Sequence, residues 1–151
     1  MGPFRRSGCC VSRIFWDSML FIYLTEEHPE FYSRCRYLLQ RSYERGDSLF
    51  TSHLVLGEVL AGAEKSPFPE KTKLIREIVR EMEFTPLPFD EGAVPTFSEL
   101  RAKRRLGIAD SVNLACAASA GMDVFLTGDK KLPGQHVPGV QFVVDFQTQL
   151  L

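Results

Sequence analysis

RLGIADSVNLACAASAGMDVFLTGDKKL, residues 105–132, is the stretch whose reading decides the fold. Gly107 marks a turn, a helix opens at Asp110, and Gly121 stops it. A short apolar run, Val124 to Thr127, then reads as a buried strand that delivers Asp129 into a loop. The helix is rich in small residues (Ala115, Ala117, Ala118, Ser119 and Ala120), so its axis can come close to a sheet. Two carboxylates, Asp110 and Asp129, thus bracket one helix-strand unit near the strand ends.

Working outward, Val140 to Val144 supplies a last strand, and Glu91 to Arg105 a helix that tolerates Pro95 in its first turn. Thr85 to Phe89 reads as a brief strand that Pro86 and Pro88 confine to an edge or a strand start. Ser66-Pro67 to Glu83 is an amphipathic helix with Leu74, Ile75, Ile78, Val79 and Met82 on one side. His53 to Ala63 is a further helix after a strand at Ser48 to Ser52. Pro29 to Arg45 carries Phe31, Cys35, Leu38 and Leu39 at helical spacing and stops at Gly46. Ile14 to Trp16 is apolar and ends in Asp17, and the run from Met19 to Leu24 begins a buried helix. Helices alternating with short apolar strands predict a three-layer α/β/α sandwich around a central, mostly parallel sheet of four or five strands.

The chain has 151 residues, about the size of one domain. Residues 1–12 are expected to form a flexible N-terminal segment and residues 13–151 a single domain. The opening MGPFRRSGCCVSR lacks the long apolar core of a secretory signal, and Arg6 breaks the myristoylation pattern. Asp17 interrupts the apolar run from Ile14, so no segment approaches the length of a membrane span. The four cysteines, Cys9, Cys10, Cys35 and Cys116, have no metal-ligand spacing. They read as free thiols, which fits a cytoplasmic protein. A formal net charge of -1 supplies no global attraction to nucleic acid, so contact with phosphates falls to local basic patches. Two are visible beside the acids: Arg101, Lys103, Arg104 and Arg105 before Asp110, and Lys130 and Lys131 after Asp129.

Glu58 is the most informative acid. Its helical neighbours one turn away are Leu54 and Val55 on one side and Ala61 and Gly62 on the other, and nothing near it in sequence neutralises it. A carboxylate on an apolar stripe is costly unless paired, protonated or bound to a cation. Asp17 follows a strand, and open parallel sheets collect ligands outside the carboxyl ends of their strands. Asp17 and Asp110 each also fit a helix cap, and Asp129 a turn. Together the four acids would repel one another unless a multivalent cation sat among them, and oxygen ligands select Mg²⁺ or Mn²⁺. His28, His53 and His136 are scattered and form no competing ligand set. Asn113, one helical turn after Asp110, fits either a water-orienting or a structural role.

These residues carry a resemblance. RIFWDSMLFIYL with Asp17, SHLVLGEVLAG with Glu58, IADSVNLACAASAG with Asp110 and VFLTGD with Asp129 resemble, in order and spacing, the PIN domain family and its VapC-type toxin ribonucleases. The resemblance implies a divalent-metal-dependent endoribonuclease with Asp17, Glu58, Asp110 and Asp129 as catalytic, metal-holding acids. It makes Thr127 a supporting hydroxyl and adds an antitoxin protein to the expected partners, besides RNA. The chain departs from the family where Met19 replaces a small polar residue, with Ser18 as a partial substitute, and where Gly128 replaces a frequent Arg. These departures keep a second reading open, a catalytically degenerate module that binds RNA or protein without cutting. Apolar residues of Phe21–Leu24 and of the helix after Pro67 also predict a homodimer.

Overall fold

Ile14, Phe15 and Trp16 are consecutive and have no solvent exposure, so the strand they form is covered on both faces and belongs at the centre of a sheet. The computed structural model, which describes residues 11–149, places it there. This strand, β1 (Arg13–Trp16), lies between β2 (Ser48–Ser52) and β4 (Met122–Thr127). β3 (Thr85–Leu87) and β5 (Val140–Asp145) form the two edges, giving the order β3-β2-β1-β4-β5. Every pairing is parallel. The α/β/α architecture expected from the sequence is therefore the observed one, with five strands.

Among the described residues, six helices cover the sheet: α1 (Ser18–Thr25), α2 (Tyr32–Arg45), α3 (His53–Glu64), α4 (Glu70–Glu81), α5 (Val94–Lys103) and α6 (Ile108–Ala120). The pairs α1/α2 and α3/α4 bridge β1 to β2 and β2 to β3 in one direction, and right-handed crossovers put them on one face. The return from β3 to β4 runs through α5 and α6, which pack against each other on the opposite face. The small residues of α6 allow the predicted close approach, and Leu114, Ala115, Cys116 and Ala117 are buried. Phe15 and Phe125 face each other in register across β1 and β4 and stack at 4.8 Å between ring centres. Trp16, Phe21 and Phe84 meet edge to face beside them. Fully burying each such ring contributes roughly 1.5–3 kcal/mol.

Several boundaries differ from the sequence expectation. α4 begins at Glu70, because Pro67 and Pro69 hold the preceding segment in a turn in which the Phe68 N–H donates to Ser66 Oγ. It stops at Glu81, short of Glu83, whose φ is +60°. The expected helix from Glu91 splits into a single 3-10 turn (Glu91–Ala93) and α5, and Arg105 adopts a φ of +56° in the link to α6. β3 ends at Leu87, at an edge, as its prolines require. α6 opens two residues before Asp110, with Gly107 as its N-cap, so Asp110 stands inside the first turn. The expected N-terminal segment lies almost wholly outside the described residues, as do Cys9 and Cys10. Cys35 and Cys116 are buried free thiols. No helix among the described residues is long and apolar enough to cross a membrane.

Candidate active site

The chain order reverses between β1 and β4: from β1 it builds outward to β3, then crosses back to β4. Ligands of open parallel sheets collect at the carboxyl ends of strands at such a switch point. Trp16 pairs with Leu126, and the Asp17 N–H donates to the Leu126 carbonyl at 3.1 Å. Asp17 therefore comes opposite Thr127 by register alone.

Asp17 is 6% exposed and caps α1, accepting the Met19 N–H on Oδ1 at 3.0 Å. Its Oδ2 accepts the Thr127 hydroxyl at 2.5 Å and the Gly128 N–H at 3.3 Å. The cap reading of Asp17 is realised, and the same carboxylate stands at the carboxyl ends of β1 and β4. Burial pushes the Asp17 carboxyl up to about 6, and the hydrogen bonds from Thr127, Gly128 and Met19 hold it from rising further. Thr127 also accepts the Asp129 N–H at 2.9 Å, so one hydroxyl ties the acid after β1 to the loop after β4. Asp129 Oδ1 accepts the Lys131 N–H at 2.9 Å, which closes that loop as a turn.

Asp110 is half-buried in the first turn of α6. Its carboxyl is raised by burial first, then by the charge of Asp129 and a hydrogen bond with it, and then by the charge of Glu58, while Lys131 opposes the rise. Asp110 and Asp129 are thus in contact, and Glu58 is close enough for its charge to act on Asp110. On α3, Glu58 flanks the buried stripe Val55–Val59–Ala63 and is itself half-buried. Among the described residues, no three His, Cys, Asp or Glu side chains close on one point in a way that would hold an ion. The acids stand as linked pairs, Asp17 to Asp129 through Thr127 and Asp129 to Asp110 directly.

The other expected residues fall in different places. Asn113 is buried and its Oδ1 accepts the Ser52 hydroxyl at 2.6 Å, while Ser52 Oγ accepts the Val55 N–H at 3.0 Å and caps α3. Its role is to hold the helix that carries Glu58, the structural alternative left open by the sequence. Ser18 opens α1 and is half-buried. Arg101 donates to the Leu106 carbonyl at 2.9 Å, and Arg104 is bound by Glu99 at 3.3 Å, Gln135 and the His136 carbonyl. Lys130 pairs with Asp145 at 3.2 Å. Lys103, Arg105 and Lys131 are exposed.

Sequence reading passed over Tyr23. Burial first, then the charges of Asp17, Cys35 and Asp145, raise its hydroxyl, and its ring packs against His28, Phe31 and Phe146. Its spacing, six positions after the first acid on a buried helix, was the only available signal.

Comparison with known proteins bears on the family and the fold. A family model described as PIN domain matches residues 14–134. No curated protein matches the chain. Among solved structures, DNA-bound VapBC from Salmonella typhimurium has a chain similar to this one, with a TM-score of 0.69 and 23% identity over 90% of this chain and 99% of that one. VapBC2 from Rickettsia felis bound to a DNA fragment from its promoter gives 0.67 and 18% over 87% and 97%. FitAcB from Neisseria gonorrhoeae gives 0.61 and 19% over 77% and 87%. These identities speak for the fold, whereas the family match spans most of the chain and takes in Asp17, Glu58, Asp110 and Asp129. The chain belongs to the PIN domain family.

Proposed function

We propose that this protein is a divalent-metal-dependent endoribonuclease that hydrolyses RNA phosphodiester bonds, and that it acts as the toxin of a toxin-antitoxin pair. The observation that carries the reading is the contact between Asp110 and Asp129, with the charge of Glu58 alongside. The charges of Asp129 and Glu58 raise the Asp110 carboxyl, and a cation beside these acids would relieve that repulsion. The donors are carboxylate oxygens only, which fits Mg²⁺ or Mn²⁺ and not a thiolate- or imidazole-seeking metal.

Asp17, Glu58, Asp110 and Asp129 would hold the ion. When bound, it supplies a water of lowered pKa and offsets charge on the scissile phosphate. The chain contributes orientation: Thr127 keeps Asp17 and the Asp129 loop in one relation, and the Asn113–Ser52 bond holds α3 and thereby Glu58. Lys131, whose charge acts on Asp110, and the exposed Lys103 and Arg105 that precede α6 are the favoured phosphate contacts. Arg101, Arg104 and Lys130 add positive charge from side chains already engaged.

Cleavage of RNA with and without EDTA tests the proposal. Activity is expected to vanish in chelator and in Asp17→Asn plus Asp110→Asn; full activity under either condition rejects it. One alternative, a non-cleaving module that binds RNA or protein, rests on the departures from the family pattern at Met19 and Gly128. Mn²⁺ titration separates them, since the degenerate module binds no ion.

An antitoxin partner is supported by the similar folds having been solved as toxin-antitoxin complexes, one of them from Klebsiella pneumoniae. Homodimerisation is supported by Ile22, Phe68 and Leu74, which are 39%, 64% and 55% exposed, although Phe21 is fully buried. A gel-filtration mass of one chain at micromolar concentration would reject the dimer. Free thiols at Cys35 and Cys116 support a cytoplasmic setting.

A further inference from the structure

Gly128 does not need to be glycine for its backbone, since its φ lies outside the left-handed region. Its space explains it: a Cβ there would lie 3.1 Å from each of Cβ, Cε and Sδ of Met19. The thioether could swing aside, but Met19 Cβ is fixed to the first turn of α1 and can yield only if that turn shifts. The same two residues donate the two backbone N–H groups that hold opposite oxygens of Asp17, Met19 to Oδ1 at 3.0 Å and Gly128 to Oδ2 at 3.3 Å. The two positions at which the sequence departs from the PIN pattern are therefore one packing unit wrapped around one carboxylate.

We infer that Met19 and Gly128 form a coupled positioning pair: the methionine side chain fills the volume over Gly128 and thereby locks the two amides that aim the Asp17 carboxylate. Neither residue touches the reacting atoms; both act through Asp17. The apolar contact does by packing what a polar side chain at position 19 would do by hydrogen bonding. This inference rests on the reading of Asp17 as a metal-holding acid, and its test is built so that the two fail separately.

The full chain is compared with Gly128→Ala, Met19→Ala and the double variant. Amide hydrogen exchange at positions 19 and 128 is read first, because it requires no ion, followed by the affinity for Mn²⁺ alone and the melting temperature. Gly128→Ala is expected to lose about tenfold in protection of both amides and about tenfold in Mn²⁺ affinity, in the range found for residues that orient metal ligands. Met19→Ala, which removes Cε and Sδ and is compatible with helix α1, is expected to lose roughly two- to threefold in Mn²⁺ affinity, less than a full orienting residue. The double variant is expected to recover part of the way toward Met19→Ala, since Sδ and Cε are gone while the Cβ at position 19 still lies 3.1 Å from the new one. Additive losses in the double variant, or unchanged amide protection in Gly128→Ala, overturn the inference. So does a pattern in which only the melting temperature moves while Mn²⁺ affinity stays at that of the unmodified chain. If the unmodified chain binds no Mn²⁺ and Asp17→Asn changes nothing, the metal reading fails, and the amide data still decide whether the pair is coupled.

Discussion

Thr127 is fully buried, and its hydroxyl has one proton and one accepting position in use, both at the site. Thr127→Val keeps the shape and removes both bonds. It is expected to destabilise the fold by about 1–3 kcal/mol, because a buried carboxylate and a part-buried N–H each lose a partner. It should also move the Asp17 titration above its present value of about 6, since the Thr127 bond is the largest influence lowering it. NMR titration of the Asp17 carboxyl reads this directly. The direction of linkage follows from the same group. Its native pKa of about 6 exceeds the ordinary 3.8, so the native chain binds more protons than the unfolded one between those values. The associated stability is fully present below about pH 4 and is lost as pH rises through about 6, by about 3 kcal/mol in the absence of metal. Denaturation midpoints measured from about pH 3.5 to about pH 7 check it, and Asp17→Asn is expected to flatten that part of the profile.

At the scale of elements, the site depends on how α3 is started. Ser52 is both the last residue of β2 and the N-cap of α3, and Asn113 of α6 fixes its hydroxyl from the opposite layer. Ser52→Ala is expected to cost about 1 kcal/mol from the cap, and more from the Asn113 carbonyl left buried without its donor. Asn113→Ala breaks the same bond from the other side, so the two losses should not add in a double-mutant cycle by chemical denaturation. Both variants are expected to reduce RNA cleavage with little change in secondary structure, because the angle of α3 sets where Glu58 stands. The edges of the sheet need no such locking. Pro86 blunts β3, and β5 leaves one side unpaired only over Val140–Asp145.

For the whole molecule, a net charge of -1 means that any RNA affinity comes from where the cations lie. The chain spends Arg104 and Lys130 on internal pairs and leaves Lys103, Arg105 and Lys131 exposed. Replacing these three with Ala is expected to weaken RNA binding uniformly across sequences. The slope of log affinity against log salt should drop by about 0.7 for each phosphate of a single strand that the variant no longer neutralises. An unchanged slope would place the phosphate surface elsewhere. Lys131→Ala should in addition let the Asp110 carboxyl rise further, as Lys131 is the charge that opposes that rise.

Local chemistry sufficed for the alternation of strands and helices, the edge place of β3 and the residue types proposed for the site. Burial periodicity, glycine stops and acids after apolar runs are written in neighbouring residues, and four carboxylates without a histidine or cysteine set already select a hard cation. What pairs with what was decided only in three dimensions. Asp17 meets Thr127 because β1 and β4, far apart along the chain, lie in register. Asn113 serves Ser52 because α6 crosses back over β2. Met19 and Gly128 look like two unrelated oddities in the chain and become one contact in the fold. Side-chain partners across layers depend on register and crossing angle, which no local pattern encodes, and so candidate acids could be named from the sequence while their connections could not.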